Sequence, residues 1–214
     1  SNPDYVNVFL GRLNQVVTEN SAGSGDMVGE KVTLATQEAL INVRKQYSDI
    51  STKLIGASIR SGEQVAFLAG LDVLTIPPAA MEQFANLEQT GLVDSNIGKD
   101  IQPGIDKNHS QSARFSTLWE VPDSFIKFVV VLLAETNLDR MSGEELDSFC
   151  KERGIDLFHP FSAADLKKIL DRGKIPVFDD WPEEIALDDL MTQSALQSFT
   201  KDQGALDDRV RSFL

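Results

Sequence analysis

The chain has 214 residues with 20 Lys and Arg against 33 Asp and Glu, a formal net charge of −13, and its 42% hydrophobic and 25% charged residues are those of a globular protein of one or two domains. That excess of acid repels nucleic acid and anionic membranes at long range, so neither is expected as a partner, whereas a phosphorylated small molecule needs only a few focused arginines. A single cysteine, Cys150, excludes an internal disulfide, no signal peptide is expected, and the longest apolar run, 128–134, is far short of the roughly 20 residues that span a bilayer; the expected location is the cytoplasm.

Tyr5 to Phe9 alternates and is rich in aromatic and β-branched residues, which predicts a strand ended by Gly11 and Arg12, with a short helical turn over Asn14 to Asn20. The Gly- and Ser-rich stretch 21–26 reads as a loop. It is not a P-loop, because Gly29 is followed by Glu30 and Lys31 where that signature needs Lys and then Ser or Thr. Glu30 suits the start of the next helix as a first-turn acid and would repel phosphate there. From Glu30 to Gln46, the residues Val32, Ala35, Ala39, Leu40 and Val43 fall at helical spacing and give that helix one apolar face.

Leu54 to Ala57 is short, small and apolar, as expected of a strand buried in a parallel sheet, and Val73 to Ile76 is a second such strand. Between them a helix is predicted to start at Ser61, with Gln64 at capping-box spacing, and to stop at Gly70. Strand, helix, strand, helix, strand over 5–76 predicts three parallel strands joined by right-handed crossovers. Ser58 and Arg60 follow the carboxyl end of the second strand at a helix N-terminus, where open N–H groups and the helix dipole favour an anion. Arg12 follows the first strand in the same way. Lys53 lies at the opposite, amino end of its strand and is not a candidate nucleophile.

After Phe84 the texture changes. Residues 88–120, poor in large apolar side chains and rich in Gly, Asn, Asp and Ser, read as one long loop between the β/α units of 1–87 and an all-α region over 121–214. In that region Asp123 is expected to cap a helix over Ser124 to Glu135. Ser142 with Glu145, and Ser162 with Asp165, form capping boxes for helices ending at Gly154 and Gly173; Ile185 to Phe199 and Ala205 to Leu214 read as two more. His109 and His159 have no second ligand at metal spacing, so no metal site is expected. Cys150 shares an apolar helical face with Leu146 and Phe149 and reads as a packed thiol. The acids around Trp181 read as a solvated helix entry without EF-hand spacing.

Three motifs carry a family resemblance. Gly56-Ala57-Ser58-Ile59-Arg60, followed by Leu68-Ala69-Gly70-Leu71-Asp72 and Leu74-Thr75-Ile76-Pro77, resembles the seventh and eighth strands of the transaldolase family. Upstream, Val8-Phe9-Leu10-Gly11-Arg12 is similar to the end of the family's sixth strand. The resemblance covers about 4–87 and implies the C-terminal part of a (β/α)8 (TIM) barrel of transaldolase type, followed here by an all-α tail longer than usual.

The resemblance also implies the chemistry. Transaldolases are transferases of the pentose phosphate pathway that use no cofactor. A lysine forms a Schiff base with a ketose, and the iminium acts as electron sink while a dihydroxyacetone unit is passed between sugar phosphates. In the family that lysine, on the fourth strand, and the acid/base residues all match positions before the first residue here, so no catalytic residue is expected in this chain. What carries over is a phosphate clamp of Arg12, Ser58 and Arg60. Where the family usually has a small residue and proline, this chain has Asn7 and Val8, and Asn7 becomes a substrate-binding candidate through its amide. Pro77-Pro78 departs from the family's single proline.

Three parallel strands with every crossover helix on one side leave the inner sheet face uncovered. The physical reading and the resemblance therefore agree that about five strands lie elsewhere, and the expected partners are sugar phosphates and either the missing N-terminal half of the barrel or a second copy. A catalytically inactive binding or regulatory subunit, and an aldolase of the fructose 6-phosphate type, are the alternatives.

Overall fold

The computed structural model describes residues 2–87 and 93–214, and the chain divides into two compact units, Ser1–Ser112 and Ala113–Leu214. In the first unit, strands β1 (Tyr5–Phe9), β2 (Lys53–Ala57) and β3 (Val73–Leu74) form one parallel sheet in the order β1-β2-β3. Helices α1 (Leu10–Glu19), α2 (Val28–Gln46), α3 (Gly62–Phe67) and α4 (Pro78–Ala85) follow or join the strands. This is an α/β unit.

The register pairs Asn7 with Ile55 and Val8 with Gly56, and Ile55 and Gly56 in turn with Val73 and Leu74. Alternate residues point to opposite faces, so Tyr5, Asn7, Lys53, Ile55 and Val73 share one face and Val8, Leu54, Gly56 and Leu74 the other. The second face is packed. Leu54 is fully buried, and a Cβ on Gly56 would stand 2.9 Å from Leu71 Cδ1 and 3.5 Å from Thr33 Cγ2, so only glycine lets the crossover elements approach this closely. Leu10, Leu34, Ile59, Val65, Leu68, Ala80 and Ile101 form the core on that side. On the first face Tyr5, Asn7 and Lys53 are exposed and Ile55 and Val73 half-buried. Among the described residues this face is open at Tyr5, Asn7 and Lys53 and closes toward half-buried Phe9 and buried Ala57.

Asp72 holds the crossovers to the sheet. Its carboxylate accepts two N–H groups of Arg44 at 2.9 and 3.2 Å, the Leu54 N–H at 3.0 Å and Gln37 Nε2 at 2.9 Å, while its own N–H donates to Gln37 Oε1. Burial pushes this carboxyl's pKa up, but the Arg44, Leu54 and Gln37 hydrogen bonds outweigh it and hold it below the ordinary value. The side chain is 20% exposed. Asp72→Ala leaves the Arg44 guanidinium with the Thr52 carbonyl but no carboxylate and removes the acceptor of the Leu54 N–H, and is expected to cost about 2 kcal/mol, read as a shift in the urea midpoint. A depressed carboxyl pKa contributes stability that is complete above the unfolded value of about 3.9 and lost as pH falls through the lower folded value. The gap between wild type and Asp72→Asn should therefore be full at neutral pH and narrow as pH falls below about 3.9; a constant gap would remove the charge from the explanation.

Residues 88–92 of the expected loop lie outside the described residues. From 93 to 111 the chain is irregular, yet Ile101 is buried in the core, Lys31 Nζ donates to the Ile101 carbonyl, and the Gly25 N–H to that of Gly104. A 3-10 helix runs from Ser112 to Leu118.

The second unit contains α5 (Asp123–Leu133), α6 (Gly143–Lys151), α7 (Ala163–Arg172) and α8 (Leu187–Arg211); Ile169 of α7, Leu190 of α8, Trp181 and Ile185 form a core with Phe161 against it, and Phe128 of α5 meets Phe149 of α6. Ser142 with Glu145 and Ser162 with Asp165 close capping boxes, as the spacing predicts. Asp123 does not cap α5: Pro122 takes the N-cap position and Asp123 lies in the first turn. The two expected terminal helices are one, because Gly204 sits inside α8, where the Thr200 hydroxyl donates to the Leu196 carbonyl and Gln203 Nε2 to Asp207 across the turns on either side. Cys150 is fully buried; burial first, and Asp147 second, raise its thiol pKa, which suits packing rather than reaction. Trp181 lies under the Lys168 ammonium at 4.4 Å, and Asp180 pairs with Arg172, whose Nη2 donates to Oδ1 at 3.3 Å, so the acidic stretch is partly tied into an ion pair. Among the described residues no acid, His or Cys cluster suits a metal ion, and no helix is long and apolar enough to cross a membrane.

Candidate functional site

The site is built where β1 and β2 end. α1 begins directly at Leu10, so Gly11 and Arg12 stand in its first turn instead of closing the strand before a separate turn at Asn14; the helix absorbs the strand exit. Arg12 is half-buried, its guanidinium carbon 5.0 Å from the centre of the Phe9 ring. Beyond β2 the chain turns through Ser58 at φ +67°, a left-handed conformation that non-glycine residues rarely hold and that is frequent at functional sites.

Gly11 is the point on which these residues converge. A Cβ there would lie 2.5 Å from the Ser58 carbonyl oxygen, 2.8 Å from Ser58 Oγ and 2.8 Å from Arg60 Nε. Arg60 is exposed and its Nη2 donates to Gln15 Oε1 of α1 at 3.2 Å. Ser58 and Arg60 thus close on Gly11 at the carboxyl ends of adjacent strands, while the Arg12 side chain lies over Phe9. Asn7 lies elsewhere, mid-strand on the open sheet face, exposed. Lys53 shares that face at the amino end of β2, four residues before Ala57, or about 13 Å at 3.3 Å per residue.

The expected helix N-terminus is a correction. α3 has only 6 residues, and its first N–H groups are taken: Gly62 N–H donates to Gln83 Oε1 at 3.0 Å and Gln64 N–H to Ser61 Oγ at 3.3 Å. Glu63 turns its carboxylate to its own N–H first and the Ser61 hydroxyl second, which lowers its pKa and keeps a negative charge at that end. The first turn of α3 is therefore not open to an anion.

Only half of the Ser61 capping box forms. Gln64 reaches one residue further back, accepting the Arg60 N–H at 2.7 Å, and donates through Nε2 to Glu30 Oε1 at 2.7 Å. Glu30 is 3% exposed and also accepts Asn14 Nδ2 at 3.1 Å, while Asn14 Oδ1 accepts the Gly29 N–H at 2.6 Å. Glu30 is in the first turn of α2, as its position predicts, but it works as a hub that ties α1, α2 and the Arg60 backbone together. The sequence shows Glu30, Asn14 and Gln64 only as polar residues near helix starts; nothing in the spacing reveals that they meet.

The sequence model described as Transaldolase/Fructose-6-phosphate aldolase matches residues 1–120. The chain belongs to this family. It is 28% identical over 123 residues to a probable transaldolase of Dictyostelium discoideum, a stretch that is 56% of this chain and 36% of that protein. The chain therefore spans about a third of its relative's length. No solved structure matches. The family match holds the whole sheet and the contact of Ser58 and Arg60 with Gly11, whereas α5 to α8 lie beyond it.

Proposed function

We propose that this chain supplies the phosphate-binding side of a Schiff-base enzyme that transfers a dihydroxyacetone unit between sugar phosphates, a transaldolase of the pentose phosphate type. The observation that carries the reading is the meeting of Ser58 and Arg60 on Gly11, next to Arg12, in a chain of the transaldolase and fructose 6-phosphate aldolase family. Two guanidinium groups and a hydroxyl suit a phosphate dianion, because charged N–H donors bind its oxygens strongly and in fixed directions. Asn7, on the open face, would hydrogen-bond the sugar.

In this reading β1 to β3 are the last three strands of a (β/α)8 barrel and the exposed face of Tyr5, Asn7 and Lys53 is its interior. The sequence divides at 1–87, 88–120 and 121–214 into barrel units, connecting loop and helical tail. The segments that follow the three strands, 10–15, 58–62 and 75–78, contain no lysine, so the nucleophile comes from strands outside this chain, in a missing N-terminal half of the barrel, and the compartment is the cytoplasm.

The test is borohydride trapping with fructose 6-phosphate. This polypeptide alone should give no covalent adduct and no turnover, whereas the polypeptide carrying the remaining barrel strands should acquire a trapped lysine when the two are mixed. A reduced adduct on any lysine of this chain overturns the division of labour. If the mixture forms a stable complex that binds sugar phosphate but traps nothing, the inactive binding subunit is the correct reading. Release of free dihydroxyacetone without an acceptor marks the aldolase.

A further inference from the structure

Arg60 is held at its backbone by a chain of side chains that has only one way to close. Gln64 Oε1 accepts the Arg60 N–H at 2.7 Å and Gln64 Nε2 donates to Glu30 Oε1 at 2.7 Å; on the other side Asn14 Oδ1 accepts the Gly29 N–H at 2.6 Å and Asn14 Nδ2 donates to Glu30 Oε2 at 3.1 Å. At each end stands a backbone N–H, which can only donate, so each amide must turn its oxygen outward and its nitrogen inward. The centre then faces two donors and needs an acceptor on both sides. An ionised carboxylate meets that demand and a glutamine cannot. Glu30 is 3% exposed, with Asn14 and Gln64 half-buried, so water does not readily stand in for a missing partner. Gln15 repeats the pattern on the Arg60 side chain, Nε2 donating to Glu19 and Oε1 accepting Nη2 at 3.2 Å, but Glu19 is exposed and its hold on the amide is shared with solvent.

We infer that Gln64 and Glu30 are positioning residues of the phosphate site: Glu30 sets the direction of the Gln64 amide, and that amide fixes the backbone from which the Arg60 guanidinium reaches Gly11. Neither is itself a clamp residue. The hold matters because Ser58, in the same turn, has φ +67°, and such a conformation persists only where its surroundings over-determine it. A guanidinium that must meet phosphate oxygens in fixed directions loses much of its contact when its anchor shifts by about 1 Å. This role presupposes the phosphate clamp proposed above, and Arg60→Ala tests that clamp by itself.

Exchange of the two side chains is the test, read as KM and kcat with fructose 6-phosphate and with fructose in the enzyme that contains this chain. Glu30→Gln places an amide where two donors converge, and Gln64→Glu brings two carboxylates into contact. Each should raise KM for fructose 6-phosphate about tenfold while the kinetics with fructose stay within about twofold. In the double exchange the amide now at position 30 accepts from Asn14 and donates to the carboxylate now at position 64, which still accepts the Arg60 N–H, so KM should return to within about twofold of wild type. Gln64→Met keeps the length of the side chain but offers the Arg60 N–H no oxygen, and should raise the same KM; with the double exchange it decides the matter if a single exchange does not fold. Equal losses for both sugars overturn the inference, since a general loosening of the fold spares neither. So does a double exchange that fails to restore KM, or a Gln64→Met that leaves it unchanged. If Arg60→Ala itself spares fructose 6-phosphate, the clamp fails and the positioning role falls with it; if Arg60→Ala is selective and the exchanges are not, the clamp stands and only the positioning role is lost.

Discussion

Arg60→Ala is expected to lower kcat/KM for phosphorylated substrates about tenfold to a hundredfold in the enzyme that contains this chain, and to leave their non-phosphorylated analogues almost unchanged. The basis is the position of Arg60, with Nε beside Gly11 and Nη2 held by Gln15, so that its guanidinium adjoins Ser58. Removing a charge-assisted contact costs about 1.5–3 kcal/mol, and only a substrate with a phosphate can lose it. Ser58→Ala should cost less, because a hydroxyl is a neutral donor. Were Arg60 only a brace for α1 through Gln15, both substrate classes would suffer alike. Steady-state kinetics on the two classes separates the outcomes, and equal losses would end the clamp.

Gly11→Ala is expected to damage the same site through space instead of charge. In a first helical turn alanine is ordinarily better than glycine by up to about 1 kcal/mol, so an uncrowded position would gain stability. Here the added methyl meets a backbone oxygen of Ser58 at 2.5 Å, a group that cannot swing away. Overpacking costs about 1–3 kcal/mol, which exceeds the propensity gain, and the relief available is a shift of the Ser58 turn away from α1. The melting temperature should fall and KM for a phosphorylated substrate should rise at least about tenfold. A more stable protein with unaltered KM would show that Ser58 and Arg60 need not close on Gly11.

Much of the first unit was legible from the sequence because its signals are local. The strand at Tyr5–Phe9 alternates, Leu54 to Ala57 is small and apolar, and each crossover has a recognisable start. What was not legible depends on distance. Gln64 stands at the right spacing for a capping box, yet buried Glu30, 34 residues earlier, claims its amide and draws it from the cap. Asp72 reads as one acid after a glycine, and only the folded chain brings Arg44, Gln37 and the Leu54 N–H to it. In the second unit the capping boxes at Ser142 and Ser162 were plain, while the continuity of α8 was hidden by Gly204, whose propensity cost is small against the turns that run through it. Arg12, Ser58 and Arg60 were singled out one at a time by their places after strands; the approach of Ser58 and Arg60 to Gly11 belongs to the tertiary structure.

The left-handed backbone of Ser58 implies a conflict between stability and use. At φ +67° a glycine would sit without strain, and a residue with a Cβ is held there against a preference of about 1–2 kcal/mol. The fold tolerates this because Ile59 on one side and Ala57 on the other are buried and fix the turn. A variant library screened for thermal resistance alone should therefore drift toward glycine at this position, and one screened for turnover of phosphorylated sugars should keep serine. The same codon would be pulled in opposite directions by two selections, which makes it a single-residue reporter of whether a homologue with this backbone is under pressure to act or only to persist.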